Sequence, residues 1–449
     1  MKKRFMSFML VTALVIGSLT ACGKSGSSEA NTPAESTGST QNDSGSSEPA
    51  PGVEKKKVVF WYSHTGDEAA VFDNAIKAYN ESQDKYEVEG LSVTDKQKVI
   101  VAISGNEAPD VIEASNQDVI TYATSGLIEP VNDMASADNY SLTDQFAEQS
   151  LIANTLEDKV YGIPFAAMII QMFYNKDILQ EIGYTEPPKT MEELYDMAVK
   201  ATQVDEKGTI TRLGYPLFPL ASARQELIYA FGGRWWAEDG VTLTPDNSGI
   251  LDSLNMNLKY RSQYGVEKVQ EFVATANTNR YTENDMFFAG KQLFRFDGPW
   301  LAAMIKNNNS TVNYGVALIP GTQANPELQG TSRYETNTLT IPVVAKEKDG
   351  AWDFIKYFTN TDTTKELLIG IANLPTQLSL YDDADILAQP NFDVFVAALK
   401  TDNGIQYPKI EDLSKYTSLI EEHLDYAYNG METPEDVLKK LKEQSELLK

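Results

Sequence analysis

The chain is poor in the residues from which metal centres and nucleophilic sites are usually built. Its 449 residues include one cysteine, Cys22, and two histidines, His64 and His423. Protein zinc sites need three or four Cys, His or carboxylate ligands, so this supply argues against a metal centre. The sequence also lacks a GxxxxGK[ST] phosphate loop, a GxSxG elbow and a convincing GxGxxG after a predicted strand. We therefore expect no metal, no cofactor and no serine hydrolase.

Basic residues are scarce as well. The chain has 38 Lys and Arg against 64 Asp and Glu, which gives a formal charge of −26. Such a charge repels nucleic acid and anionic lipid headgroups. Nucleic acid is therefore excluded as a partner.

The first residues are typical of an export signal. Lys2, Lys3 and Arg4 precede the mostly apolar run 5–20, which is short for a membrane span. The run leads into "LTAC", residues 19–22, which resembles the lipobox of bacterial lipoproteins. That resemblance implies a signal peptide over residues 1–21 that is cut before Cys22, which then carries lipid. The alternative of a buried free thiol fits poorly, because the cysteine closes an export signal.

Residues 22–54 contain mostly Ser, Gly, Pro and charged residues and almost no large apolar side chains. Such a segment has too little apolar surface to offset the entropy cost of ordering. We interpret it as a disordered tether, and a glycosylated stalk is the alternative.

The body alternates strand-like and helix-like segments. "KVVFWY", residues 57–62, predicts a strand, and the next segment places Phe72, Ile76 and Tyr79 on one helical face. "YEVEGLSV" predicts a second strand, residues 96–104 a helix that ends at Gly105, and "PDVIEA" a third strand. This order predicts βαβ units, and hence an α/β fold with mostly parallel sheets flanked by helices.

The aromatic residues indicate the kind of ligand. Trp61 ends the first predicted strand, and Trp235 and Trp236 follow a pair of glycines before a loop. A flat aromatic face can stack on the C–H face of a sugar ring, while polar side chains bind the hydroxyl groups. For any single ring, ordinary packing is the alternative; together the rings favour a carbohydrate site.

Several separated motifs resemble those of one protein family and occur in its order. They are "AISGNEAPDVIEA", "YATSGLIEPVNDM", "VYGIPFAA", "FYNKDILQEIGYTEPPKTMEEL", "FFAGKQLFRFDGPW", "YGVALIPG", "GAWDFIKYFTN" and "NLPTQ". The chain resembles bacterial extracellular solute-binding proteins of the maltodextrin-binding type from about residue 55 to its C-terminus. The resemblance implies a monomeric carbohydrate receptor, not an enzyme, which delivers its ligand to an ABC permease. With the lipid at Cys22 as its only link to the membrane, it would lie on the outer face of the cell membrane.

The resemblance also implies a periplasmic-binding-protein-like fold, in which crossing segments form a hinge between two lobes and ligand binds in the cleft. The first crossing would lie at residues 164–168, the second at 335–338 and the third near Leu380. The N-lobe would then comprise residues 55–165 plus 338–380, and the C-lobe 166–337 plus 381–449.

The resemblance places candidate ligand contacts at the strand ends of both lobes. In the N-lobe they are Trp61, Ser63, His64, Glu113 and Asn116. A capping role for His64 and a buried structural role for Glu113 are the alternatives.

In the C-lobe the first candidate is Trp300, in "RFDGPW", where the family's Gly-Pro-Trp places a stacking ring. The others are Trp235, Trp236, Arg333, Tyr334, Glu335 and Arg224, the last with a solvated helix-face charge as its alternative. Met168 stands where related proteins carry an acidic residue, and Gln171 is the expected substitute.

Two other functions stay open at this level. A cell-surface glycoside hydrolase or lyase would also bind sugar, and the same fold can bind a polyamine, a peptide or an organic anion. The acidic charge makes a cationic ligand conceivable, whereas the tryptophans argue for sugar rings.

Overall fold

The computed structural model describes residues 54–105, 107–216, 221–401 and 403–448. The predicted signal peptide and Cys22 therefore lie outside the described residues, as does all of the predicted tether except Glu54. The strands are β1 Lys56–Tyr62, β2 Tyr86–Ser92, β3 Val111–Ser115, β4 Thr155–Leu156, β5 Lys159–Val160, β6 Ile163–Met168, β7 Gln171–Asn175, β8 Gln203–Val204, β9 Ile210–Arg212, β10 Phe294–Asp297, β11 Tyr314–Ala317, β12 Ser332–Arg333, β13 Glu335–Thr340, β14 Leu374–Pro375 and β15 Gly404–Ile405.

Helices fill most of the sequence between the strands. The α-helices are α1 Gly66–Ser82, α2 Lys96–Ser104, α3 Asn116–Thr124, α4 Asn132–Ala137, α5 Leu142–Gln145, α6 Glu148–Ile152, α7 Lys176–Glu181, α8 Met191–Ala201, α9 Ala221–Ala230, α10 Ser248–Tyr264, α11 Val266–Thr278, α12 Leu301–Asn307, α13 Lys348–Phe358, α14 Thr361–Ile371, α15 Ala384–Leu387, α16 Phe392–Leu399, α17 Leu413–Tyr428 and α18 Pro434–Ser445. Short 3₁₀ turns cover Pro326–Leu328 and Leu378–Leu380.

The larger sheet is mixed. Its strand order is β14-β6-β13-β3-β1-β2. Strand β1 pairs in parallel with β2 and β3, as the βαβ pattern predicts. Strand β13 is antiparallel to both β3 and β6, and β14 is antiparallel to β6. The parallel pairing therefore comes from the N-terminal βαβ units. Strand β6 runs in the same direction as β1, β2 and β3, whereas β13 and β14 run in the opposite direction.

The second sheet corrects one part of the fold expectation. It has the order β10-β7-β11, and both of its pairings are antiparallel, so it is not the mostly parallel sheet that the sequence pattern predicts. Strands β7, β10 and β11 are separated by long helical segments, and helix–strand alternation alone does not set the direction in which such strands pair.

Local signals explain where several helices begin. Asp95 accepts hydrogen bonds from the backbone N–H groups of residues 97 and 98, which fixes the start of α2. Thr190 caps α8 by accepting from the Glu193 N–H at 3.1 Å. The reciprocal half of the predicted capping box is displaced, because the Glu193 carboxylate accepts from the Lys189 N–H instead, at 2.8 Å.

Two large hydrophobic cores pack against the sheets, and the first also contains Phe173 of β7 in the second sheet. In the first core, the Phe60 ring of β1 lies 6.3 Å from Phe72 of α1 and 5.3 Å from Phe354 of α13. The second core joins β7 and β10 to α8, α10 and α17. A smaller third core lies between α2, α3 and the large sheet. Burying each such side chain contributes roughly 1.5–3 kcal/mol, so these cores hold the sheet edges in fixed positions.

A short linker joins the two sheets. Strand β6 ends at Met168 in the large sheet and β7 begins at Gln171 in the second sheet. Met168 pairs with Glu335 of β13, and Gln171 pairs with Asp297 of β10. The end of β10 and the start of β13 therefore both lie beside the linker between β6 and β7. Among the described residues, no helix is both long enough and apolar enough to span a bilayer.

Candidate ligand-binding site

Glu113 of β3 is a hydrogen-bond hub at the end of the large sheet. Its carboxylate accepts from the Ser63 backbone N–H at 2.7 Å and from the Ser63 hydroxyl at 3.1 Å. Asn337 of β13 donates to the same carboxylate at 2.8 Å. The His64 Nδ1 lies 3.2 Å from both carboxylate oxygens. The structure thus brings together three predicted contacts, Ser63, His64 and Glu113, and adds Asn337.

The His64 ring is held between Glu113 and Phe72. It stacks on Phe72 with the centroids 4.5 Å apart. Burial lowers the pKa of His64, but the hydrogen bond and charge of Glu113, with a smaller contribution from Glu68, outweigh burial and raise that pKa above its usual value. The contact between His64 and Glu113 fixes the loop that follows β1 and places polar atoms at the end of the sheet.

Strand β13 connects this hub to a second polar cluster. Glu335 and Asn337 are two residues apart, so their side chains lie on the same face of the strand. Glu335 is directly opposite Met168 of β6, and Asn337 is opposite Ser115 of β3. The Glu335 carboxylate of β13 therefore lies opposite Met168, the position at which related proteins were expected to carry an acidic residue.

The second cluster combines charge with stacked rings. Arg333 forms an ion pair with Glu335 at 2.7 Å, and the Tyr407 hydroxyl donates to the same carboxylate at 2.9 Å. The Arg333 guanidinium lies 5.1 Å from the Tyr407 ring centroid. Trp236 is the second ring of this cluster, and it stacks on Tyr407 with the ring centroids 6.3 Å apart and an interplanar angle of 24°. This arrangement offers planar apolar faces beside charged hydrogen-bonding groups.

Glu226 of α9 lies beneath this cluster and was not predicted. It is fully buried; one oxygen accepts from the Arg333 backbone N–H at 3.3 Å, and the other has no hydrogen-bond partner among the described residues. Burial raises the pKa of Glu226 to about 8, although the nearby Arg333 charge acts in the opposite direction. No local pattern identifies this residue or Tyr407, because their partners lie more than 70 positions away in the sequence.

Trp300 lies at the N-cap position of the short helix α12, just after the end of β10. Its side chain makes no capping hydrogen bond. Its indole is partly exposed, and its Nε1 donates to the Tyr281 hydroxyl at 2.8 Å. A side chain at Gly298 would overlap the six-membered ring of the indole, so the ring folds back over the glycine. Because Asp297 pairs with Gln171, the Trp300 corner lies at the same sheet linker as the Glu335 cluster.

Two further predicted tryptophans, Trp235 and Trp61, lie apart from these clusters. Trp235 is 1% exposed within the second core, which differs from the expectation of a loop residue outside a core. Its neighbour Trp236 belongs to the same core and is 6% exposed, so the expectation is wrong for both rings. Trp61 packs against the third core, with the Lys98 ammonium 5.4 Å from its ring.

Three predicted contacts are used internally. The Asn116 amide donates to the Tyr334 backbone carbonyl at 3.1 Å, and Gln171 binds the backbone of residues 319 and 330. Tyr334 is buried, with its hydroxyl 2.7 Å from that of Ser150. Gln171 therefore does not substitute for the acidic residue absent at Met168, because both ends of its amide bind backbone groups.

Arg224 connects two helices. It forms an ion pair with Glu421 of α17 at 2.6 Å and contacts Asp425. The side chain is thus neither a solvated helix-face charge nor a member of the Glu113 or Glu335 cluster.

Helix α17 also contacts α3 through small polar side chains. Gln117 donates to the Thr417 hydroxyl at 3.1 Å, and the Thr121 and Ser414 hydroxyls are 3.4 Å apart. Helix α3 belongs to the predicted N-lobe and α17 to the predicted C-lobe. Within the described ranges, no group of three His, Cys, Asp or Glu residues has the arrangement of a metal site.

Comparisons with known proteins identify the family. The model of the bacterial extracellular solute-binding protein family matches residues 74–394. The chain is 25% identical to the maltotriose-binding protein of Pyrococcus abyssi over 342 residues, which cover 74% of this chain and 69% of the relative. It is 24% identical to the maltooligosaccharide ABC transporter solute-binding lipoprotein of Streptococcus pneumoniae over 363 residues, 76% of this chain and 79% of the relative.

A solved structure confirms the fold. The mannotriose complex of CpMnBP1 superposes with a TM-score of 0.77 at 23% identity, covering 87% of this chain and 100% of the other. The two-lobe α/β architecture and the family resemblance expected from the sequence are thereby confirmed. Since the family model spans most of the chain, the protein belongs to the bacterial extracellular solute-binding protein family.

Proposed function

We propose that this protein captures a carbohydrate, an oligosaccharide, in a cleft between its two lobes and delivers it to an ABC permease. Three similar proteins carry names or bound ligands of this class: maltotriose, maltooligosaccharide and mannotriose. The site chemistry of the chain itself agrees with such a ligand. The observation that carries the proposal is the partly exposed Trp300 ring, at the linker that also holds the Glu335 and Arg333 pair.

The proposed cleft has two walls. From the N-lobe, taken as residues 55–165 plus 338–380, Glu113, Ser63 and His64 would bind sugar hydroxyls. Carboxylates and an imidazole suit this task because each offers directional donors or acceptors.

The C-lobe wall, taken from residues 166–337 plus 381–449, would provide the stacking faces and the remaining charges. Its proposed contacts are Trp300, Trp236, Tyr407, Arg333 and Glu335. Six predicted contacts are left out of the proposed set: Trp235, Tyr334, Asn116 and Gln171 are at most 1% exposed, Arg224 binds Glu421, and Trp61 packs against the third core.

We also propose that the protein acts as a monomer on the outer face of the cell membrane. The support is the lipobox-like "LTAC" and the lipoprotein named among the similar proteins. Mass spectrometry of the protein from its native membrane tests this proposal: a diacyl or triacyl mass on Cys22 is expected, and a mature chain that retains residues 1–21 would refute it.

The competing function is a glycoside-active enzyme. Family members are solute-binding proteins, and we infer that this chain binds sugar without turnover. The test combines titration calorimetry against mono-, di- and trisaccharides, a polyamine and a peptide with chromatography of each sugar after long incubation. We expect saturable heat with at least one oligosaccharide and unchanged sugar throughout. Heat with none of the panel, or heat only with a polyamine or peptide, would overturn the carbohydrate proposal, and new products would establish the enzyme.

A further inference from the structure

A closed network of buried charges lies directly behind Trp300. Arg295 of β10 donates to both oxygens of Asp285 at 2.9 and 2.7 Å and to Asp297 at 2.8 Å. All three side chains are at most 3% exposed. Buried ion pairs of this kind are costly to desolvate, and removing one partner leaves an uncompensated charge. They therefore persist where a fixed geometry is needed or where their loss would be strongly destabilising.

Tyr281 connects this network to the indole. Its hydroxyl donates to Asp297 at 2.9 Å and accepts from the Trp300 Nε1 at 2.8 Å. Its backbone N–H donates to Asp285 at 2.9 Å. Burial and the charge of Asp297 raise the pKa of Tyr281, so the phenol keeps the proton that it donates. The backbone N–H and the hydroxyl of Tyr281 thus donate to Asp285 and Asp297, the two carboxylates that Arg295 also binds.

The Tyr281 backbone is itself strained. Its φ is +61°, a conformation that is uncommon for bulky residues. The Arg295 guanidinium lies 5.1 Å from the Tyr281 ring centroid, which packs the ring in this position. Strained residues persist only where the surroundings determine them, and they are concentrated at binding sites.

We propose that Tyr281 is a positioning residue that locks the Trp300 indole as a preorganised binding platform, with Asp297, Arg295 and Asp285 as its rigid support. This inference rests on the proposed function. Because the only polar atom of the indole is already bound to Tyr281, Trp300 offers a ligand its ring face and no hydrogen bond. Preorganisation of this kind raises affinity by lowering the ordering cost of binding.

The test has a readout that does not depend on sugar. The difference in emission between the wild type and Trp300→Phe isolates the fluorescence of Trp300, and acrylamide quenching then measures its accessibility. In Tyr281→Phe, we expect the Trp300 emission to shift and its quenching to increase. Unchanged emission and quenching would overturn the proposal, whether or not any sugar binds.

Affinity provides the second readout. With maltotriose or mannotriose as the probe, Tyr281→Phe should weaken binding by about 3- to 10-fold, the effect of one hydrogen bond. The same substitution should have no further effect when Trp300 is already phenylalanine. An equal loss in both backgrounds would mean that Tyr281 acts independently of Trp300, which contradicts the proposal. If neither trisaccharide binds the wild type, the proposed ligand class fails while the fluorescence test still decides the role of Tyr281.

Tyr79→Phe is the matched control. Tyr79 is buried in the first core and, like Tyr281, donates to a carboxylate, that of Asp353, at 2.8 Å. We expect this variant to lose stability as Tyr281→Phe does, without any change in Trp300 quenching or sugar affinity. A change as large as that of Tyr281→Phe would identify a general loss of packing and would contradict a specific positioning role.

Discussion

Two glutamates near the proposed cleft show how strongly the surroundings of a side chain determine its chemistry. Glu113 receives hydrogen bonds from Ser63 and Asn337 and lies beside His64, so its charge is well compensated. Glu226 receives one backbone N–H and has a buried oxygen without a partner among the described residues. The Glu113 side chain is 2% exposed and its oxygens hold Ser63, His64 and Asn337 in place. Glu226, in contrast, is held in its neutral form near pH 7.

Glu226 predicts a pH dependence of stability. Its pKa is about 8 in the folded chain and near 4.5 when unfolded, because burial disfavours the charged form. The stabilisation is therefore fully present below pH 4.5 and is lost as the pH rises through 8. Glu226→Gln should remove this loss of stability with rising pH. The unfolding free energy of the variant, relative to that of the wild type, should therefore rise by ~3 kcal/mol between pH 5 and pH 8. Urea unfolding at both pH values measures the change.

Arg333, Glu335 and Tyr229 surround Glu226, and the glutamine variant leaves all three in place. The matched control is Glu366→Gln on the exposed side of α14, which should not flatten the profile. Parallel profiles for the wild type and Glu226→Gln would show that burial does not hold Glu226 neutral.

Trp300 carries the largest expected effect on binding. Trp300→Ala should weaken sugar affinity by about 1 kcal/mol or more, because the stacking face is lost while the hydrogen-bonding groups remain. Calorimetry with the best-bound trisaccharide measures the change. Trp61→Ala serves as the comparison, since Trp61 is also partly exposed but packs on the third core, and we expect little change. Equal losses for both variants would contradict the assignment of the platform to Trp300.

At the scale of elements, the sequence predicts best what is decided locally. Helix α2 begins and ends where predicted, at Lys96 and Ser104, because Asp95 caps one end and Gly105 follows the other. The antiparallel second sheet is not predictable in this way, since its pairing partners are far apart in the chain. The burial of Trp235 and Trp236 shows the same limit, because only the tertiary packing places both of these loop rings in the second core.

The site shows the same limit. Ser63, His64 and Glu113 could be predicted together because Ser63 and His64 follow β1 and Glu113 lies in β3, which pairs with β1. Tyr281, Glu226 and Tyr407 could not, because each acts through partners on distant elements. The resemblance to a family predicted Trp300, but not the hydrogen bond that holds it.

Strand β10 and the preceding loop depend on the Arg295 network. Asp285→Asn removes one charge of the buried group, and the expected loss of unfolding free energy is about 3–5 kcal/mol. Glu81→Gln breaks a solvent-exposed pair with Lys77 and should cost less than about 1 kcal/mol. Chemical denaturation of the two variants measures both values. A loss for Asp285→Asn as small as that for Glu81→Gln would contradict a supporting role for the network.

At the scale of the molecule, the contacts between α3 and α17 favour a hinge account of binding. Gln117, Thr121, Ser414 and Thr417 join the two helices by hydrogen bonds, and Ile120 of α3 belongs to the second core with Leu413 of α17. The hydrogen bonds are weak enough to open, since each contributes only about 0.5–1.5 kcal/mol net. A ligand that contacts both walls would shift the population towards the joined arrangement.

We therefore expect sugar to reduce the radius of gyration. Small-angle X-ray scattering of residues 54–449, with and without a saturating trisaccharide, measures the change. Trp300→Ala should need a higher concentration of the same sugar than the wild type to reach the same reduction. Identical scattering of the wild type with and without bound sugar would argue against closure on ligand.

The central claim is that a sugar ring lies on Trp300 between two polar walls. A crystal structure of the protein with maltotriose or mannotriose tests it most directly. The account predicts a pyranose ring stacked on the Trp300 indole, with sugar hydroxyls bound by the Glu335 and Arg333 pair on one side and by Glu113 or His64 on the other. A trisaccharide bound elsewhere, with the Trp300 face empty, would contradict it.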